Sequence, residues 1–121
     1  SRGELKNLCT NDAPVTITSG ESRRMLTIEP VKVGDTFAVF GEMTDGAIVS
    51  TAFATDGAWV RSREPVRFLP GTADAEGWSA FSGIVVVPAD VPQAVVVFDA
   101  PGKKKDAKTY GLKNLRVYRL W

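Results

Sequence analysis

Trp59 is followed at short range by Arg61, Arg63 and Glu64, which sets an indole beside two guanidinium groups and a carboxylate. An aromatic ring can cover the apolar C–H face of a sugar ring while planar polar side chains read its hydroxyls. Tyr110 and Tyr118 offer the same ring chemistry farther along the chain. The pair Arg23-Arg24 and the set Arg61, Arg63 and Arg67 supply forked donors that suit a carboxylate or a sulfate. The chain holds no histidine. That excludes serine–histidine–aspartate triads and histidine–cysteine zinc sites, and it removes the usual base near neutral pH. A pair of carboxylates would still suffice for glycoside hydrolysis. However, Asp35, Asp45, Asp56, Asp74, Glu76, Asp90 and Asp99 sit mostly at turns, where turn formation accounts for them. Asp56, Asp74 and Asp99 could also join carbonyls around a calcium ion, although no contiguous calcium-loop spacing is present. Cys9 is the single cysteine and has no CxxC partner, so it reads as a buried or incidental thiol. No catalytic residue and no metal-ligand set is assigned.

The elements that must position these side chains are strands. A chain of 121 residues with 44% hydrophobic and 24% charged residues fits one soluble domain with a real core. The whole of 1–121 is expected to be one β-sandwich domain. Because it opens on Ser1 rather than methionine, it is expected to be a piece of a longer multidomain chain. The formal charge of +1, from 15 basic and 14 acidic residues, gives no pull toward nucleic acid. No apolar stretch approaches the length of a membrane-spanning helix, so no membrane insertion is expected. Lys103–Lys105 runs directly into Asp106 and reads as a solvated loop.

Gly77–Pro101 organises the pattern. Two β-branched runs, Ile84–Val87 and Ala94–Phe98, flank the turn-rich PADVP and are expected to pair as antiparallel strands. Both runs are apolar on both faces, so each predicts cover on two sides. Further strands are expected at Val15–Thr18, Arg23–Val31, Thr36–Met43, Ala47–Ala54, Ala58–Arg61, Val66–Leu69 and Thr109–Trp121. Asp45-Gly46 and Asp56-Gly57 are hairpin signals and suggest a meander or a sandwich edge. Tyr110 and Leu112 share one phase while Leu115 and Val117 share the other, which asks for a bulge near Lys113-Asn114. The N-terminal stretch offers Leu5 and Leu8 as anchors. The count is about eight strands with no competing helix, an all-β, two-sheet antiparallel β-sandwich.

The segment GWSAFSGIVVVP resembles the G-W-x-x-F-x-G-x-x-x-V-P strand of jelly-roll, galactose-binding-like carbohydrate-binding modules. KVGDTFAVFGEM, YGLKNLRVYRLW and KNLCTND are similar to other segments of that family. Trp78, Phe81, Gly83 and Pro88 match best. The resemblance implies a jelly roll and a non-catalytic module that binds a polysaccharide or glycan. Similar modules occur in phage tail and fibre proteins and in extracellular multidomain enzymes, which implies an extracellular, virion-surface or cell-surface setting. Trp59, Arg61, Arg63, Tyr110 and Tyr118 are the expected ligand residues. Trp78 and Phe81 are secondary candidates, at positions where the family packs aromatic side chains against the core. No cofactor is expected. A structural calcium is the one metal the resemblance leaves open, and Asn114 stands where the family often has an aspartate that helps hold it. The alternative function is a structural or oligomerisation domain of a tail fibre or surface assembly, with a homo-oligomer or neighbouring domains covering the second apolar face. A small histidine-free glycosidase ranks third.

Overall fold

The computed structural model describes residues 5–10 and 13–121. The strands among them are β1 (Val15–Thr18), β2 (Ser22–Ile28), β3 (Thr36–Thr44), β4 (Ile48–Thr55), β5 (Ala58–Trp59), β6 (Val66–Phe68), β7 (Trp78–Val86), β8 (Gln93–Asp99) and β9 (Thr109–Arg119). One short 3-10 turn covers Lys104–Asp106. The strands form a four-stranded sheet in the order β1-β9-β3-β7 and a five-stranded sheet in which β2-β8-β4-β5 run side by side and β6 also pairs with β4. Every pairing is antiparallel. The chain changes sheet from β1 to β2, β2 to β3, β3 to β4, β6 to β7, β7 to β8 and β8 to β9. That interleaving of two stacked sheets is a jelly roll.

The topology corrects two expectations. Ile84–Val87 and Ala94–Phe98 do not pair: β7 lies against β3, and β8 runs between β2 and β4. They lie in different sheets, and β7 packs across the core on β6, where Phe81 meets Phe68. Asp45-Gly46 likewise joins strands of different sheets and closes no hairpin. Only the second signal does, with Thr55 opposite Ala58. There Asp56 and Gly57 both take positive φ, 47° and 78°, the combination a tight hairpin turn demands. Alternating hydrophobicity reports which face a strand buries. Adjacent strands of one sheet and facing strands of two sheets bury the same kind of face, so the pattern cannot tell them apart.

The core fills the space between the sheets, with Phe37, Val39, Met43, Val49, Phe98 and Leu112 among its most buried members. Two bulges set its register. On β9 the pairing shifts opposite Phe40 and Glu42, and Asn114 takes φ 56°. Leu112, Leu115 and Val117 therefore all reach the core despite their odd spacing, as the change of phase predicts. On β2 the register shifts between Arg24 and Leu26. Met25 is the extra residue, and both Met25 and Leu26 pack against the core. β2 ends at Ile28, just before Pro30, which has no N–H to continue a ladder. At the N-terminal side Leu8 packs on the core and its N–H reaches the Val117 carbonyl at 2.7 Å. Leu5 is exposed, so only one of the two expected anchors is used. Cys9 is buried.

Phe81 is a core residue. Its ring stacks on Phe68 with centroids 5.6 Å apart. Two glycines make room for the stack. A Cβ on Gly41 would lie 2.5 Å from the Phe81 ring, and one on Gly83 would lie 2.5 Å from the Phe68 ring. Gly41→Ala and Gly83→Ala are each expected to cost about 1–3 kcal/mol through overpacking. Urea unfolding midpoints check this, and wild-type midpoints for both variants would show that the stack shifts freely.

Asp35 ties the start of β3 to the end of β9. Its carboxylate accepts the Lys32 N–H at 3.0 Å and pairs with Arg119 at 2.8 Å. The backbone bond from Lys32, aided by the Arg119 guanidinium and opposed by burial, holds the Asp35 carboxyl below the usual carboxylate range. A carboxylate whose folded pKa is depressed stabilises the fold above its unfolded pKa. That stabilisation is lost as pH falls through the ordinary carboxylate value and then the lower folded one. Asp35→Asn is expected to cost about 1 kcal/mol or less at neutral pH, because Arg119 is partly exposed. The cost should vanish on acidification through that window, as read from thermal melts of both proteins across the pH series.

Candidate functional site

The outward face of the five-stranded sheet carries the site. Strand register places Gln93, Ala54 and Trp59 in one row across it, Thr27, Val95 and Ala52 in the next, and Arg24, Val97, Ser50 and Arg67 in a third. Ser22, Asp99 and Ile48 form the last. The central side chains are small. Ala54, Val95 and Val97 make a second buried cluster, with Ala52 against it, on the side of the sheet away from the main core. Both faces of β8 are therefore covered, as its doubly apolar pattern predicts, and the chain itself supplies much of the cover.

Arg24 is part of that cover. By parity it should lie on the core side with Leu26 and Ile28, but the bulge at Met25 turns it outward, opposite Val97. β2 and β5 stand at opposite ends of the strand order, so the Arg24 side chain crosses above β8 and β4. Its Nη2 donates to the Gly57 carbonyl at 2.8 Å, and its guanidinium lies 4.0 Å from the Trp59 ring centroid. The contact is a cation–π pair that closes one side of the sheet face.

Beyond the pair, a cleft of about 460 Å³ opens between this floor and the segment that follows β5. Its lining includes Ser50, Ala52, Val97, Trp59, Arg61 and Arg63, with Glu64 and Asp99 as its acids. The volume falls within the range of small-ligand sites, about 300–1,000 Å³. The segment keeps its shape through backbone bonds: Val60 N–H reaches the Phe53 carbonyl at 2.9 Å, and Arg63 N–H turns back on Val60 at 3.1 Å. Val60 anchors it on the core, which leaves Arg61 and Arg63 at the rim. Asp99 accepts the Ser22 hydroxyl.

The structure thus brings Trp59, Arg61 and Arg63 together. Tyr110 is not with them. It is buried in the core, near Gly46, with Lys108 over its ring at 4.9 Å. The reason is the change of phase in β9, which puts Tyr110 on the inward side with Leu112. Tyr118 stands on the outer face of the other sheet, edge-on to Phe40 at 6.0 Å. Trp78 shares that opposite face. It lies across Gly111, where a Cβ would come within 2.8 Å of its ring, and Lys113 sits 4.2 Å above it. The core position expected for Trp78 is therefore wrong, and Phe81 alone of that pair is a core residue.

Most of the acids sit at turns, as expected, whereas Asp99 is the last residue of β8. Asp74 Oδ1 accepts the N–H groups of Glu76 and Trp78 at 2.9 and 3.0 Å. The bond from Trp78 and then that from Glu76 hold its carboxyl below the usual range. Asp56, Asp74 and Asp99 do not converge, and among the described residues no three carboxylate or thiol side chains could hold a metal ion together. Residue-type reasoning left out Ser22, Ser50, Ala52, Val97 and Asp99 as cleft residues. A signal for the floor was present: Ser50, Ala52 and Ala54 alternate as small residues on the outward phase of one strand. For Arg24 only the bulge reveals the direction.

Fold and site together define a jelly-roll β-sandwich with an indole–guanidinium cleft on one outer face. No known protein family and no curated protein matches the chain. Among solved structures, the enzymatically active domain of bacteriophage CBA120 tailspike protein 4 superposes with a TM-score of 0.57 at 12% identity. The match covers 97% of this chain and 19% of that one, so this chain spans about a fifth of the tailspike domain's length. Two smaller domains superpose more loosely. One is the C-terminal domain of EclA, a sugar-binding protein, with TM-score 0.41, 13% identity and coverage of 95% of this chain and 84% of that one. The other is a carbohydrate-binding module of Cellvibrio mixtus lichenase 5A in complex with cellotriose, with TM-score 0.42, 10% identity and coverage of 96% and 91%. At these identities the likeness concerns the fold alone, and the fold is the jelly roll that the sequence resemblance implies.

Proposed function

We propose that the cleft of the five-stranded sheet binds a glycan without chemically altering it, as a module of a longer protein acting outside the cell or on a virion surface. One observation carries this reading. Trp59, Arg61 and Arg63 converge over a floor of small side chains in a cleft of about 460 Å³. The floor and the indole offer apolar surface to a sugar ring, and the guanidinium groups, Ser50 and Asp99 offer hydrogen bonds to its substituents. A glycan array followed by calorimetry tests the reading. Trp59→Ala should weaken binding at least about tenfold, equivalent to about 1.4 kcal/mol, and no binding to any glycan would defeat it. Glu64 and Asp99 share the cleft. Release of new reducing ends, abolished by Glu64→Gln, would replace binding with hydrolysis.

A second reading, an assembly surface, has its own support. β7 is an edge strand, and its outward side chains Ile84 and Val86 are 56% and 55% exposed. Unlike that of β8, its second face is not covered by the described residues of its own chain, which leaves the expected cover to another subunit or a neighbouring domain. An uncapped apolar edge favours strand addition. Light scattering at rising concentration should show a dimer or trimer that Ile84→Lys returns to monomer. A strict monomer at every concentration would sink this reading.

A further inference from the structure

We infer that the ligand of this cleft is an acidic glycan, bearing carboxylate or sulfate groups, rather than a neutral one. The inference rests on the glycan reading of the same site and concerns what that reading leaves open. Among the described residues the single ion pair is Arg119–Asp35, far along the chain from the cleft. Arg61 and Arg63 line the cleft, and among the described residues neither guanidinium makes a hydrogen bond or an ion pair. Arg24 stands over Trp59 and Arg67 lies on the same outward face, opposite Ser50. Of these four cations only Arg61 and Arg63 line the cleft, where they meet two acids, Glu64 and Asp99. Asp99 is already occupied by the Ser22 hydroxyl.

The lining is thus balanced in charge, and a preference for an anion comes from the geometry of its guanidinium groups rather than from net charge. Arg24 is fixed by the Gly57 carbonyl and the Trp59 ring. Arg61 and Arg63 keep their forks open. A guanidinium pairs two parallel N–H donors with the two oxygens of a carboxylate or the oxygens of a sulfate, a match that a neutral hydroxyl cannot offer. The adjoining floor is small and apolar, so such a pair would form beside surface that excludes water, where it is strengthened. A sugar ring resting on the floor would carry its anionic substituent to the rim.

The test uses matched pairs. Oligogalacturonate is compared with its carboxyl-reduced form, and a sulfated galactan oligosaccharide with its desulfated form, by calorimetry at fixed ionic strength. The acidic member of at least one pair is expected to bind about tenfold more tightly than its neutral partner. Which pair shows the preference identifies carboxylate or sulfate. Arg61→Gln combined with Arg63→Gln should bring the ratio close to one. Lys113→Gln combined with Arg116→Gln makes the same change of charge on the other sheet's outer face and should leave the ratio intact. Equal affinity within both pairs would overturn the inference while leaving glycan binding standing. So would a preference that survives the Arg61/Arg63 change, or one that falls equally with the Lys113/Arg116 change. No binding to any member, with no hit on the wider array, would defeat the glycan reading itself.

Discussion

The structure depends on covering both faces of β8. This strand runs through the middle of the five-stranded sheet, and its Ala94, Val96 and Phe98 belong to the main core while Val95 and Val97 belong to a separate buried cluster. A sandwich of two sheets covers only the first of these faces. The second is shielded by side chains and a short segment of the same chain, and that shield is incomplete. Where Arg24 and Trp59 meet, the floor is closed; beside them, a cleft remains. The cleft is thus a direct consequence of burying a doubly apolar strand under a cover too short to span the whole sheet.

The two bulges serve different ends. The one at Asn114 rescues the core, because without it Leu112 and Val117 would face opposite sides of β9. The one at Met25 serves the surface, because it redirects Arg24 from the core side to the outward face. A charged side chain facing the core would carry a desolvation cost of several kcal/mol unless paired. The extra residue does not lift that constraint, since it puts Arg23 on the core phase opposite Phe98, where Arg23 stays exposed on an edge strand. It does give Trp59 its cationic partner.

The opposite sheet shows what the cleft is not. Trp78 carries Lys113 above its ring and Phe40 carries Arg116. These rings lie against their own sheet, on a face where Tyr118 also packs. The site differs in having its indole beside two guanidinium groups that take no partner of their own among the described residues. Most rings on the two outer faces are therefore explained by cation–π packing; Phe40 and Arg116 also line a cleft of about 500 Å³ on their own face, but there Arg116 already bonds the Asn114 carbonyl.

Much of the strand content was legible in the residues alone. Period-two alternation, β-branched runs and Asp-Gly, Pro and Gly punctuation mark where strands run and which face they bury. The phase change in the last strand even located its bulge. The chain's lack of histidine ruled out whole classes of chemistry. What only the tertiary structure decided was which strands lie side by side, because a jelly roll sends sequence neighbours to different sheets and both arrangements satisfy the same alternation. The placement of the aromatic residues followed from that. Tyr110 entered the core and Tyr118 and Trp78 took the far face. Trp59 joined Arg24, which lies distant in sequence and whose direction a single extra residue reverses. Local sequence records the side a residue prefers, whereas a site needs residues from several strands in register, and register is set by the whole sheet.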